Sequence, residues 1–323
     1  MADHAVDDDF DGDIFIYRGG RAPQHITHVL IDESVDEIEE EAFKRYEHLL
    51  TVETHDGLRR VGKQAFERCR SLQQINLKSA TGIEESAFYA CENLESVEFG
   101  DRLETIGDYA FWRCALKHVK LPSIITIGLY AFSDSERLTD IELSERLESI
   151  GKRAFYRCER LQRIAIPLKR DLFVFDEIWK KYDQFDGCEQ LSTVDIVGEA
   201  HTQTIASLHM ESWRIEMNAE INRINQVFPT TAYGKTNVIR HWMESLLDKL
   251  DHYKAEHYRH VKEGISLLEL ALWKAKLGEK EGNSVEGRTK KAKVDATSAR
   301  KERRITCGAD IVIKNVLPFL QVE

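Results

Sequence analysis

Short stretches of alternating apolar and polar residues run through the first two-thirds of the chain, and a phenylalanine returns in them at nearly constant intervals. Each of six phenylalanines follows an alanine, and successive ones are 23, 22, 23, 21 and 23 residues apart. Self-similarity at a period of this length predicts stacked structural units that share one elongated core. The six are Phe43, Phe66, Phe88, Phe111, Phe132 and Phe155.

Each repeat combines a strand pattern with a compact return segment. In the stretch Leu-x-x-Ile-x-Leu, as at Leu72, Ile75 and Leu77, alternating apolar residues predict a short strand with one buried face. The segment Gly-x-x-Ala-Phe-x-x-Cys, as at residues 62–69, predicts a tight turn and one short helical turn. Glycine allows close approach there, and alanine and cysteine fit inside a coil. This register predicts eight parallel strands from about residue 26 to about residue 197.

One interval between phenylalanines is longer than the others. Phe155 and Phe185 are 30 residues apart, so we expect an insertion, in a loop, at residues 169–181. The loop carries four large apolar side chains, which either form a contact patch or pack inward. They are Leu172, Phe173, Phe175 and Trp179.

The pattern Leu-x-x-Ile-x-Leu, followed by Ile-Gly-x-x-Ala-Phe-x-x-Cys, resembles the BspA-type leucine-rich repeat over roughly half of the chain. The resemblance implies an α/β repeat solenoid with a parallel sheet and short helical turns, followed here by a C-terminal helical region. It implies no single function, since similar proteins include bacterial surface adhesins and large intracellular families of protists and algae. The C-terminal part, with residues 267–270 and 307–310, further resembles the ends of a large diatom group of such proteins.

Composition narrows the possible function classes. The 323 residues carry a formal net charge of −11, which argues against a general nucleic-acid binder and against docking on anionic membranes. The sequence contains no run of about 18 apolar residues that would predict a membrane span. Residues 1–13 are predicted as an acidic disordered leader that lacks the basic start and apolar segment of a secretory signal. We therefore expect a cytoplasmic protein, with the nucleus as the alternative location.

The cysteines predict buried, reduced thiols and no metal or cofactor. Five of the six occupy one repeat position or its degenerate copy, and no Cys-x-x-Cys pair offers zinc spacing.

Other candidate motifs for chemistry are incomplete. Residues 57–64 and 234–236 approach a phosphate-binding loop, but each stretch lacks a required hydroxyl or glycine. His252, Glu256 and His260 recur at a spacing of four, which is more typical of exposed helical residues than of a metal site. We expect no catalytic residue and no enzyme activity.

After residue 200 the apolar spacing becomes helical, and residues 201–277 are predicted as a helical region. An apolar stripe at steps of three and four runs from Trp242 to Ala275. The long helix of residues 236–277 either caps the open end of the solenoid or self-associates as a coiled coil. Tyr253 and His257 interrupt the seam that the second alternative needs.

The last part of the chain is predicted as a basic flexible linker, residues 278–304, and a short docking tail, residues 305–323. Two basic clusters in the linker match a bipartite nuclear-import signal or form a solvated charge run. The import candidates are Lys290, Lys291, Arg300, Lys301, Arg303 and Arg304.

The predicted protein-binding surface is the outward face of the sheet within the solenoid of residues 14–200. Aligned parallel strands would place their outward residues in columns on an unbroken sheet, about 35 Å long at ~4.8 Å per strand. Such a surface suits an extended or convex protein partner, unless its alternating charges only neutralise each other across strands. The candidate binding residues are Gln74, Asn76, Ser96, Glu98, His118, Lys120, Asp140, Glu142 and Arg163.

Taken together, these features predict a non-enzymatic protein-interaction module or scaffold that binds a protein partner. Two alternatives stay open: an exported cell-surface adhesin, and a nuclear regulator imported through the basic linker. Self-association through residues 236–277 is a further expectation for partners.

Overall fold

The computed structural model describes residues 14–174, 184–227 and 233–282. The acidic leader, the side chains of Phe175 and Trp179, the six import candidates and the docking tail lie outside the described residues. By spatial clustering, the described residues form two units: the first comprises those of residues 14–202 and 216–248, and the second comprises residues 203–215 and 249–282.

The described part of the first unit contains fifteen short strands, nine of three to five residues and six of two residues. The short length of each strand follows from the repeat, because a return segment begins after every few alternating residues. In chain order the strands are β1 (Ile14–Tyr17), β2 (His28–Ile31), β3 (Glu37–Ile38), β4 (Thr51–Glu53), β5 (Arg60–Val61), β6 (Gln74–Leu77), β7 (Gly82–Ile83), β8 (Ser96–Phe99), β9 (Thr105–Ile106), β10 (His118–Leu121), β11 (Thr126–Ile127), β12 (Asp140–Leu143), β13 (Ser149–Ile150), β14 (Arg163–Pro167) and β15 (Thr193–Val197).

These strands form three parallel sheets. The longer strands are ordered β1-β2-β4-β6-β8 and β10-β12-β14-β15, and the two-residue strands form a sheet ordered β3-β5-β7-β9-β11-β13. The predicted parallel-sheet solenoid is thereby confirmed. Two details differ from the sequence prediction: β1 precedes the eight predicted strands, and the two-residue strands occupy a position where only a turn was predicted.

The prediction of one unbroken sheet is wrong, because no ladder of backbone hydrogen bonds joins β8 to β10 among the described residues. The strands β6, β8, β10 and β12 begin 22 residues apart in each case, but the turn that leads into β10 is one residue shorter than the turn that leads into β8. Cys91 and Leu94 are three positions apart, and the Leu94 N–H donates to the Cys91 carbonyl at 3.0 Å. Cys114 and Leu116 are only two positions apart, and the described residues show no equivalent bond. We attribute the break to this shortened turn, since it changes how β10 approaches β8.

Seven phenylalanine rings form a continuous stack inside the coils. Neighbouring ring centroids are 5.1–5.7 Å apart with interplanar angles of 2–9°, and every ring is buried. Neighbouring coils are also joined through the backbone, as where the Phe66 N–H donates to the Ala87 carbonyl at 2.7 Å. The recurring ring is therefore the centre of the core in each coil. It comprises Phe43, Phe66, Phe88, Phe111, Phe132, Phe155 and Phe185.

The return segment around each Ala-Phe pair is a run of turns in which two residues have positive φ. Gln64 (φ 56°) and Arg68 (φ 61°) flank Phe66 in this way, although such values are uncommon outside glycine. Hydrogen bonds between coils stabilise both residues in this backbone conformation, since their N–H groups donate to carbonyls of the next repeat. Glycine serves another purpose at Gly107, where a Cβ would lie 2.6 Å from a backbone nitrogen of the previous coil.

The insertion after Phe155 begins later than predicted. The Ile150 N–H donates to the Leu172 carbonyl at 2.8 Å, and the Val174 N–H donates to the Ile150 carbonyl at 3.0 Å. Residues 172–174 therefore continue the sheet of two-residue strands beyond β13. Leu172 and Phe173 are buried, so two of the four predicted patch residues pack inward.

In the described ranges, three helices follow the strands: α1 (Ala200–Ser207), α2 (Glu211–Val227) and α3 (Lys235–Gly282). They confirm the predicted helical region after residue 200. Within the first unit, residues of α2 and α3 bond to the backbone of the last coil. The Phe185 N–H donates to Thr236 Oγ1 at 3.3 Å, and the Val194 N–H donates to Asn225 Oδ1 at 2.8 Å. These side-chain oxygens take the place of the carbonyls that a further coil would supply.

Lys235 completes this end of the first unit. Its side chain is 0% exposed, and its Nζ donates to the carbonyls of Cys188 at 2.6 Å, Glu189 at 3.0 Å and Leu191 at 2.8 Å. Burial lowers the pKa of this lysine. The three carbonyl oxygens replace the water that the ammonium group loses on burial, so the buried charge has hydrogen-bond partners. Lys235 thereby links three backbone carbonyls of the last turn.

The second unit contains a cluster of aromatic and histidine rings. Trp213 stacks on Tyr253 with centroids 4.9 Å apart, and His209 lies within hydrogen-bond distance of His257 at 2.9 Å and of His260 at 3.3 Å. Burial and the neighbouring histidines lower the pKa of His209. Farther along α3, Leu267, Leu270 and Trp273 are exposed. Self-association through this helix stays a prediction.

Candidate protein-interaction surface

The structure divides the nine predicted binding residues into two groups, one on each long-strand sheet. On the first sheet Gln74 pairs in register with Ser96, and Asn76 with Glu98. The second group lies on β10, β12 and β14 in the predicted columns. Its members are His118, Lys120, Asp140, Glu142 and Arg163.

The charges of the second group neutralise each other. Lys120 pairs with Glu142 at 3.0 Å. Arg163 bridges two carboxylates, Asp140 at 3.0 Å and Asp195 at 2.6 Å. Hydrogen bonding to Asp140, and then to Asp195, raises the pKa of the arginine. In this group, the charged side chains therefore largely neutralise each other across the strands.

The first group lines a shallow concavity of about 370 Å³ on the outward face of β4, β6 and β8. Glu98 pairs with Lys78 at 2.6 Å, which raises the pKa of that lysine, and Asn76 Oδ1 accepts a hydrogen bond from the Lys78 N–H. Gln74 and Ser96 make no side-chain hydrogen bond with the described residues. This concavity has open hydrogen-bonding groups, and its lining residues include Thr51, Glu53, Gln74, Asn76, Ser96 and Glu98.

The recurring cysteines have a bonding role that sequence reasoning missed. Each buried thiol donates to the carbonyl of the phenylalanine one coil earlier, as from Cys91 Sγ to Phe66 at 3.0 Å. Ser135 stands in the same position and donates to Phe111 at 3.2 Å, which is the sequence signal that a donor is needed there. Burial raises the pKa of the Cys69 thiol to about 12, so this thiol is protonated and inert at neutral pH.

A ladder of aromatic side chains on the return segments is a second feature that sequence reasoning missed. Tyr89 stacks on Trp112 at 4.5 Å and Tyr109 on Tyr130 at 5.1 Å, and the guanidinium of Arg153 lies over the Tyr130 ring at 5.6 Å. A spacing of 21 or 23 residues between aromatic residues was the available signal. One face of each stacked ring is covered by its neighbour, which reduces the ring surface that is left for a partner.

The described residues contain no cluster of side chains that could hold a metal ion. Glu256 pairs with Arg259 at 2.5 Å, whereas His260 contacts His209; the three candidates of α3 do not converge on one point. Lys235 is bonded to three carbonyls, so it is not available to a phosphate. No helix in the described ranges is long and apolar enough for a membrane span.

The repeat pattern and the coil geometry agree with one protein family. The family described as "BspA type Leucine rich repeat region" matches six copies over residues 22–126, 71–174 and 123–228, more than half of the chain. The chain is a BspA-type leucine-rich-repeat protein. No curated protein sequence matches it.

Solved structures of other leucine-rich-repeat proteins are similar to this BspA-type protein. A leucine-rich repeat protein from Bacteroides ovatus is 26% identical over 54% of this chain and 43% of its own, with a TM-score of 0.45. The Treponema pallidum leucine-rich repeat protein is 20% identical over 62% and 90%, with a TM-score of 0.37. A leucine-rich cell surface protein from Faecalibacterium prausnitzii is 18% identical over 55% and 81%, with a TM-score of 0.22.

This BspA-type chain therefore spans less than half the length of the Bacteroides ovatus protein that it matches. Leucine-rich-repeat proteins generally act in protein interaction or surface adhesion, and their fold is typically non-enzymatic.

Proposed function

We propose that this chain is a non-enzymatic protein-interaction module that binds a protein partner in the concavity over β4, β6 and β8. One observation carries the proposal: Gln74, Ser96 and Glu53 point into a rigid concavity and make no side-chain hydrogen bond with the described residues. Exposed polar groups at fixed spacing are available to a partner. The second sheet is the weaker candidate, since its charges are already paired with each other.

The backbone ladder makes this surface ready for binding. Parallel strands repeat at ~4.8 Å, so the outward side chains of β4, β6 and β8 hold a fixed spacing. A preorganised surface loses little conformational entropy on association. The amide and hydroxyl groups suit a partner with exposed polar backbone or side chains, and the Glu53 carboxylate favours a donor or cation opposite it.

The test is affinity purification from source-cell extract, followed by a dissociation constant for the purified partner. The variant Gln74→Arg with Ser96→Arg places two long cations in the concavity and leaves the buried faces of β6 and β8 intact. We expect binding to weaken by about tenfold or more, as for a blocked hot spot.

The matched control is Lys120→Glu with Glu142→Lys, which reverses one ion pair on the second sheet and preserves net charge. It should bind like the unmodified chain. Equal binding by the double-arginine variant, or loss of binding in the control alone, would refute the proposed site. A measured turnover abolished by a single substitution would refute the non-enzymatic assignment.

The proposal includes a cytoplasmic location. Five buried thiols without a disulfide suit a reducing compartment. Finding a tagged chain on the cell exterior would favour the adhesin alternative. Nuclear accumulation that disappears when residues 288–304 are deleted would favour the nuclear regulator.

A further inference from the structure

Aromatic side chains that reach the surface are concentrated on the return segments, away from the long-strand sheets. The outward positions of β4, β6, β8, β10 and β12 hold no phenylalanine, tyrosine or tryptophan. Tyrosine, tryptophan and arginine are the residues that most often dominate the binding energy of protein interfaces. We call the surface that carries them here the return-segment face, and it is formed by Tyr89, Tyr109, Trp112, Arg113, Tyr130 and Tyr156.

The two stacked pairs of this face belong to one surface. Tyr109 and Trp112 lie on the same turn, where the Trp112 N–H donates to the Tyr109 carbonyl at 3.2 Å. The guanidinium of Arg153 lies 5.6 Å from the centroid of Tyr130 and 4.9 Å from that of Tyr156. The rings are half-buried and are fixed by these contacts, so a partner that binds them costs little side-chain entropy.

The carboxylates of the return-segment face are already bonded, whereas one arginine is not paired with a carboxylate. Asp134 accepts a hydrogen bond from Trp112 Nε1 at 3.0 Å, and Asp108 accepts one from the Leu129 N–H at 2.7 Å. Arg113 is exposed, lies over the Trp112 ring at 5.2 Å from its centroid, and pairs with no carboxylate of the described residues. The ring edges also carry partial positive charge. The charge that this face offers to a partner is therefore positive.

Tyr89 supplies an apolar surface beside this charge. Trp112 covers one face of its ring, and the described residues place no other aromatic ring or cation against the opposite face. The equivalent position of the preceding coil is occupied by Glu67, which is buried and pairs with Lys44 at 3.3 Å. The Tyr89 hydroxyl makes no hydrogen bond with the described residues, so it is also available to a partner.

We propose that the return-segment face binds an acidic linear segment of a partner protein. An aspartate or glutamate of that segment pairs with Arg113, and a neighbouring apolar side chain lies against the Tyr89 ring. A guanidinium that lies over an aromatic ring can still donate its N–H groups to a carboxylate. This surface is separate from the concavity over β4, β6 and β8, so the inference does not rest on the proposed function.

The test begins with the selection of short peptides from a random phage-displayed library on the immobilised full chain. The enriched peptides are labelled with fluorescein, and their dissociation constants are measured by fluorescence anisotropy at about 0.15 M salt. We expect acidic peptides to be enriched and to bind Arg113→Glu about tenfold or more weakly. Arg113 has a φ of 55° and Glu41 a φ of 59°, so glutamate is compatible with this backbone conformation.

Three further variants separate the contributions. Tyr89→Ser removes the ring by using the residue that stands at the equivalent position 133, and it should weaken binding about fivefold. Arg102→Glu makes the same charge change at an exposed position of the turn after β8, and it should bind like the unmodified chain. Gln74→Ala with Ser96→Ala removes open groups of the concavity and should also leave the affinity unchanged. Far-UV circular dichroism establishes that each variant is folded.

The possible outcomes are distinct. A library that yields no acidic peptide, or acidic peptides that bind Arg113→Glu as tightly as the unmodified chain, would overturn the proposal. Equal weakening by Arg102→Glu would reveal a general charge effect and would also overturn it. Peptides that lose affinity only in Gln74→Ala with Ser96→Ala would support the concavity as a site and contradict this one. Unchanged affinity in Tyr89→Ser would refute the role of the ring.

Discussion

Replacing Lys235 with methionine tests whether this buried cation closes the last coil of the solenoid. Methionine has a similar length and no donor, so Lys235→Met removes three hydrogen bonds without leaving a large void. Of the three carbonyls, that of Cys188 also accepts the Leu191 N–H at 3.3 Å. The carbonyls of Glu189 and Leu191 would be left without a donor among the described residues.

The expected loss follows from these two unpaired acceptors. A buried polar group without a partner costs about 1 to 3 kcal/mol. The Leu191 carbonyl is buried and the Glu189 carbonyl is only partly buried, so the two together cost roughly 2 to 5 kcal/mol. Removing the ammonium also removes its desolvation penalty, which offsets part of the loss. We expect the free energy of unfolding to fall by about 2 to 4 kcal/mol, a large part of the 5–15 kcal/mol that is typical of folded domains.

The assay is urea denaturation followed by far-UV circular dichroism and by fluorescence. Trp242 reports on the region between α2 and α3 in the first unit, because its Nε1 donates to the Glu220 carbonyl at 3.0 Å. Lys254→Met, at an exposed position of α3, is the control and should change the stability by less than about 0.5 kcal/mol. Equal stability of Lys235→Met and the unmodified chain would refute the capping role.

Two further predictions concern the ring stack and the histidine cluster. Phe111→Ala should lower the free energy of unfolding by about 3 to 5 kcal/mol, since the ring is buried between two stacked neighbours. The midpoint of denaturant unfolding measures this loss. The control Tyr258→Ala, on the exposed side of α3, should leave the midpoint unchanged. Because the pKa values of His209 and His257 are lowered in the folded protein from 6.5, their stabilising contribution is present above pH 6.5 and is lost as the pH falls below it. The protection factors of amides around Tyr253, which correct for the slower intrinsic exchange at lower pH, should therefore fall between pH 7.5 and 5.5, and fall less in His209→Gln. An unchanged pH dependence of the protection factors in that variant would contradict the assignment.

The side chains that bond to the last coil, which include Lys235 and Thr236, show what a repeat pattern leaves out. Residues 234–236 attract notice in the sequence only as an incomplete phosphate-binding loop, yet Lys235 and Thr236 bond to the last coil. Lys235 is separated by 44 to 47 residues from the carbonyls that it binds. Nothing periodic links these positions, so a pattern search could not pair them.

The break between β8 and β10 shows the opposite case, in which the signal was present in the sequence. The shortened spacing between Cys114 and Leu116 can be read directly from the chain. Whether this shortening interrupts the sheet depends on how one coil packs against the next. The pattern of a single repeat contains no information about packing between coils. The predicted binding residues therefore lie on the outward faces of the predicted strands, but on two separate sheets and not on one unbroken sheet.

The amino-acid sequence alone determined the solenoid, the stacked rings, the buried small-residue column and the outward positions of each strand. In stacked repeats equivalent positions contact each other, so the period of the sequence encodes the contacts of the core. Only the tertiary structure decided which outward groups are already paired, what bonds to the last coil and where the sheet divides. These depend on distances between residues that no repeat relates, such as Arg163 between Asp140 and Asp195.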